Sequence, residues 1–229
     1  MSTTSRTPNR RRSARTALLA TAVAIVASAG LAASAQATVV PINGTLTLDN
    51  GVASSNSSIP PTKSWFRQQT PPASPSWVSN PNSANTVDDT YTLLQNGSTG
   101  LVVDGSTYQT AASDIVSPSL FYGAGFDIWT DSAQPVVDLH FDNTVGTSSS
   151  RTVTGDITAW SVLWNGLTFN QGAETGGGTG RNHDLTGTYN ENTGDITLTW
   201  SSKIYDPYNP PGQGFDDFTG YWHLEGNIQ

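Results

Sequence analysis

Two short stretches set histidines beside carboxylates at two-residue spacing. "GYWHLEG" (220–226) holds His223 and Glu225, and "VVDLHFD" (136–142) holds Asp138, His140 and Asp142. Imidazole and carboxylate are zinc ligands, and three such groups with one water make an open tetrahedral site. On an extended strand alternate residues lie about 7 Å apart, too far for one stretch to enclose an ion alone. If the two stretches pair side by side, opposite residues come within about 5.5 Å, and a site drawn from Asp138, His140, His223 and Glu225 can hold zinc. The same alternation has a plainer meaning, a solvated sheet face on which imidazoles and acids lower the cost of one another's charge.

Hydrolytic chemistry is short of parts. A glycosidase needs two carboxyl groups facing each other across a sugar. After residue 37 the chain has three glutamates, of which Glu174 lies in a glycine-rich stretch and Glu191 in a turn signal. Glu225 is left in a strand, with Asp127, Asp138 or Asp156 as the partner it would need. There is no G-x-S-x-G elbow and no H-E-x-x-H pair, although a triad can be assembled from distant residues without a local motif. "GAETGGGTGRNHD" from Gly172 fails as a phosphate cradle: a Lys-Ser/Thr ending is missing, Arg181 stands where a third glycine belongs, and no helical pattern follows. No catalytic residue is assigned and no cofactor is implied.

Binding chemistry is better supplied. The chain has seven tryptophans, and exposed rings beside Asn, Asp and Gln are how proteins grip saccharides, an apolar platform flanked by groups that fix orientation. Trp160 and Trp164 fall out of phase with Ile157 and Leu163, which predicts an outer face for them. Trp65, Trp77 and Tyr221 complete the candidate set. Large rings also fill wide cores, and burial of these would leave a structural role.

The elements that must position these residues are strands. Thr, Val, Trp and Tyr alternate with apolar residues in short runs broken by Gly, Asn and Asp, and helix signals are almost absent. Nine or ten strands at this spacing predict an all-β fold, a single antiparallel β-sandwich of the jelly-roll or immunoglobulin-like kind. The shared period of two places Leu46, Leu48, Leu139, Phe141, Ile196, Leu198, Trp200, Trp222 and Leu224 in its core, and sends Tyr221, His223 and Glu225 to the opposite face. "NENTGD" (190–195) supplies the turn of a hairpin from Asp184 to Ile204. "TGDITAW" (154–160) and "TGDITLTW" (193–200) look alike, but nothing around them matches. Residues 52–88 carry six prolines together with Trp65, Phe66 and Trp77. Such proline density disfavours central strands, whereas a disordered linker rarely carries three large rings, so a long ordered loop is expected there.

Composition sets the destination. Residues 1–37 read as a cleaved signal peptide: Arg6, Arg10, Arg11, Arg12 and Arg15 precede an Ala-rich apolar run, and "AQA" (35–37) is an A-x-A cleavage site. The pair Arg11-Arg12 leaves general and twin-arginine export both open. The mature domain, 38–229, keeps five basic residues against eighteen acids, a net charge of −13. That balance makes nucleic acid and anionic membranes poor partners. Without cysteine the exported fold relies on packing, and thiolate zinc, iron–sulfur clusters and cysteine nucleophiles are excluded. The expectation is a secreted, extracellular, monomeric domain without catalysis that binds neutral glycans or a cell-surface polysaccharide. A carbohydrate-active hydrolase and a purely structural exported protein are the alternatives.

Overall fold

The computed structural model describes residues 39–103, 109, 116–117, 120–130, 137–142, 149–157, 160–172, 185–204 and 214–229. They contain no helix and fall within one compact unit, Gln36–Gln229. The expected leader lies outside the described residues, and no described helix is long and apolar enough to cross a membrane.

Among the described residues fifteen strands follow one another: β1 (Val39–Pro41), β2 (Thr45–Leu48), β3 (Trp65–Gln69), β4 (Tyr91–Leu93), β5 (Gln95–Asn96), β6 (Leu101–Val102), β7 (Val116–Ser117), β8 (Phe126–Thr130), β9 (Val137–Asp142), β10 (Ser150–Ile157), β11 (Trp160–Trp164), β12 (Leu167–Asn170), β13 (Thr186–Asn190), β14 (Asp195–Lys203) and β15 (Thr219–Ile228). The count exceeds the nine or ten expected, because two-residue strands such as β5 and β7 are too short to show a period. A ten-stranded sheet runs β1-β9-β10-β13-β14-β15-β2-β6, with β3 beside β15 and β4 beside β3; a five-stranded sheet runs β12-β11-β8-β7-β5. Pairing is antiparallel throughout, as in β14 against β15 and β11 against β8.

The hairpin at 184–204 forms as expected. β13 pairs with β14 from Thr186↔Thr199 to Tyr189↔Ile196, and Gly194 closes the turn at φ 78°, where a side chain is strained. The two look-alike stretches differ structurally, since the first "TGDI" lies inside β10 and the second crosses this turn.

β15 is ten residues long and shared by two neighbours on one side: Thr219–His223 pair with β3, and Gly226–Ile228 with β2. Here the structure corrects the reading of 52–88 as a loop. β3 lies inside it, between β15 and β4. The prolines nearest it, Pro60, Pro61, Pro71 and Pro72, bracket "WFRQQ" without interrupting it, so every residue that needs a ladder N–H retains one.

The inner faces of the two sheets share one cluster of buried residues. Trp160 of the smaller sheet meets Trp200 at 5.1 Å and Trp222 at 5.5 Å, and Phe66 meets Phe126 at 5.4 Å. Leu46, Leu48, Ile196, Leu198, Trp200, Trp222 and Leu224 are buried as their period of two demands. The side chains of Leu139 and Phe141 lie outside the described residues.

Candidate functional site

The polar face of β15 meets the residues that β3 brings beside it. Register sets His223 opposite Trp65, and Tyr221 opposite Arg67. On the other side, Thr199 and Ser201 of β14 stand opposite the same two residues. Each strand contributes alternate side chains, so these six share one surface.

Aromatic contacts organise it. The Trp65 ring stacks on the His223 imidazole at 5.2 Å and 19°, and meets Tyr91 edge-on at 4.9 Å. Trp77 follows β3 in sequence and forms a bridge to Gln69. Its indole meets Tyr221 at 5.0 Å and 72°. The Arg67 guanidinium lies 3.6 Å from the Trp77 ring centroid and 4.3 Å from that of Tyr91. Arg67 is fixed there: Nε donates to Thr90 Oγ1 at 3.0 Å, Nη1 donates to Tyr91 Oη at 2.9 Å, and Asp88 lies 3.8 Å away. Tyr221 Oη donates to Gln69 Oε1 at 3.3 Å. Trp77 is nevertheless 37% exposed.

A polar line crosses the same face. Thr199 Oγ1 lies 3.1 Å from His223 Nδ1, and His223 Nε2 lies 3.2 Å from Glu225 Oε1. Lys63 Nζ then donates to Glu225 Oε2 at 3.1 Å and to Asp49 Oδ2 at 2.9 Å. Burial by itself would raise the Glu225 pKa, but the hydrogen bonds from His223 and Lys63 and their charges together hold it below its ordinary value. The hydrogen bonds to Asp49 and Glu225, and then the charges of the two acids, hold Lys63 above its own.

Hydroxyl, imidazole and carboxylate in series have the order of a nucleophile, a base and an orienting acid. Acyl transfer also needs two amide donors aimed at a developing oxyanion. Thr199 is flanked by β13 on one side and β15 on the other, where the ladder engages backbone amides. In this line Thr199 and Glu225 each meet one ring nitrogen of His223 while its face stacks on Trp65.

Of the residues singled out for saccharide contact, Trp65, Trp77 and Tyr221 come together here, but Trp160 and Trp164 do not. Trp160 is fully buried between the sheets. Trp164 is half-buried on the smaller sheet, its Nε1 donating to Phe121 O at 2.6 Å. The expected outer face failed for Trp160 because β10 and β11 belong to different sheets, and Ile157 and Trp160 both face the shared core.

The structure also keeps the two histidine stretches apart. His140 stands opposite Thr154 of β10, and Asp138 opposite Asp156. Between β9 and β15 lie β10, β13 and β14. Their backbones are thus separated by about 19 Å, four spacings of 4.8 Å. A zinc site shared by His140, His223 and Glu225 is excluded by this order, and among the described residues no group of three or more His, Cys, Asp or Glu is placed to hold a metal. The side chains of Asp138 and His140 lie outside the described residues.

Sequence reasoning missed Arg67 and Gln69. Their signal was the alternation of "WFRQQ", masked by the surrounding prolines. No family model matches the chain, and no curated protein and no solved structure matches it.

Proposed function

We propose that this chain is an exported β-sandwich of the jelly-roll or immunoglobulin-like kind, a non-catalytic binding module that takes neutral saccharides outside the cell on the face formed by β3 and β15. Cleavage after Ala37 releases the domain 38–229. The observation that supports this most directly is Trp77, an indole left open to solvent while Arg67 and Tyr221 hold it in place. A ring fixed before the ligand arrives loses little entropy on binding, and sugar rings stack on such surfaces. The Gln69 carboxamide and the Ser201 hydroxyl on the same face supply polar groups to orient hydroxyls. The excess of acids disfavours anionic ligands.

A glycan array with residues 38–229, followed by titration of each hit, tests the reading. Binding should perturb tryptophan fluorescence, and Trp77→Ala should weaken it about tenfold, ~1.4 kcal/mol. If no glycan binds, or if Trp77→Ala binds as the parent does, the reading is wrong.

A further inference from the structure

Behind Trp77, on the inner side of the same strands, a polar row lies inside an aromatic interior. Ser202 of β14, Gly220 of β15 and Gln68 of β3 stand opposite one another and are all buried. At Gly220 the space that a side chain would need is taken by its neighbours. An added Cβ there would collide with Gln171 Oε1 and lie 3.1 Å from Trp222 Nε1. An amide oxygen and an indole N–H therefore converge over a bare Cα.

Two of these polar groups lack partners. Among the described residues Ser202 Oγ and Trp222 Nε1 have none. The Gln68 carboxamide stands beside them in a residue 9% exposed. Gln171 Nε2 donates to Asn170 O at 3.2 Å, but its Oε1 accepts from no described group. Native interiors pair nearly all buried polar groups, so two left open beside a pair of carboxamides mark a place that something else fills.

The cavity beside them lies between the sheets. It opens to solvent and takes in ≈ 390 Å³, the open mouth included. Nine of its eleven lining residues are apolar, the other two are Gln68 and Gln171, and none is charged. Phe66, Phe121, Phe126 and Trp222 form one side; Trp164 and Phe215, 5.4 Å apart, form another.

We propose that this cavity binds a neutral, single-ring molecule carrying one hydroxyl or carbonyl group. The ring lies among the aromatic walls, where offset and edge-to-face contacts are favourable. The polar substituent meets the two carboxamides and the Trp222 indole: a hydroxyl donates to an amide oxygen and accepts from N–H. A charged ligand is excluded because nothing in the lining would compensate its desolvation. A saccharide is disfavoured here for a related reason, its many hydroxyls outnumbering the available partners. The site is thus chemically distinct from the outer face.

Phenol and benzene, added at millimolar concentration to residues 38–229, form a matched pair of probes. Phenol should raise Tm in a saturable, concentration-dependent way and shift side-chain amide resonances of Gln68 and Gln171. Benzene should bind at least about tenfold more weakly, because it leaves the amides unpaired. Gln68→Met preserves volume and should abolish the preference for phenol. Trp77→Ala, on the opposite face, should leave phenol binding unchanged whatever becomes of glycan binding. The proposal is overturned if phenol leaves Tm and the amide resonances unmoved, which means that water alone fills the cavity, or if phenol and benzene bind equally.

Discussion

Glu225 sits between His223 at 3.2 Å and Lys63 at 3.1 Å, and the sign of its effect on stability follows from the direction of its shift. Its folded pKa is lowered from the ordinary 4.5. Its contribution is therefore full above 4.5 and is lost as pH falls through the lower folded value. At 29% side-chain exposure this half-buried pairing is screened, and about 0.5–1 kcal/mol is expected. Thermal melts of the parent and Glu225→Gln should differ by that amount at pH 7 and converge only as pH falls through the lowered folded value. A difference that persists into acid would place the effect in packing instead of charge. Lys63 works in the opposite sense: its raised pKa adds stability below 10.5 that is lost as pH rises through the folded value.

At the scale of the element, β14 and β15 form the longest pairing among the described residues, from Asp195↔Asn227 to Lys203↔Thr219. The turn that feeds β14 depends on Gly194 at φ 78°, where an added Cβ would lie 2.6 Å from Ile228 O. Gly194→Ala should cost about 1–2 kcal/mol or more from the left-handed backbone, before the contact with β15 is relieved. Chemical denaturation reads this as a lower midpoint with an unchanged slope. An equal midpoint would mean that the turn relaxes freely. β3 teaches a different lesson. Its prolines lie outside the strand, so counting prolines over a window hid the strand while the alternation within five residues displayed it.

Residues 38–229 carry a net charge of −13 and contain no cysteine, so packing between the two sheets must outweigh self-repulsion. Screening shortens from about 30 Å at 0.01 M salt to about 8 Å at 0.15 M. The melting temperature of residues 38–229 should accordingly rise by a few degrees over that range, since an excess of one sign destabilises the compact state. A Tm that is flat or falls with added sodium chloride would show that local pairs, such as Arg151–Glu191 at 2.7 Å, dominate over net charge.

The inside and outside of single strands were legible in the sequence, because alternate side chains must point to opposite faces whatever lies beside them. Ile196, Leu198 and Trp200 on β14, and Trp222 and Leu224 on β15, are buried for that reason. The turn at 190–195 was legible too, since Asn and Gly meet a backbone demand set within a few residues. The order of strands was not. It depends on which faces pack together across the chain, and no local spacing encodes that β3 lies beside β15 or that three strands separate β9 from it. Tertiary structure alone therefore laid Trp65 on His223, kept His140 away, and turned Trp160 inward on the second sheet. It also gathered Gln68, Gln171, Ser202 and Trp222, residues as many as 154 positions apart, around the bare Cα of Gly220.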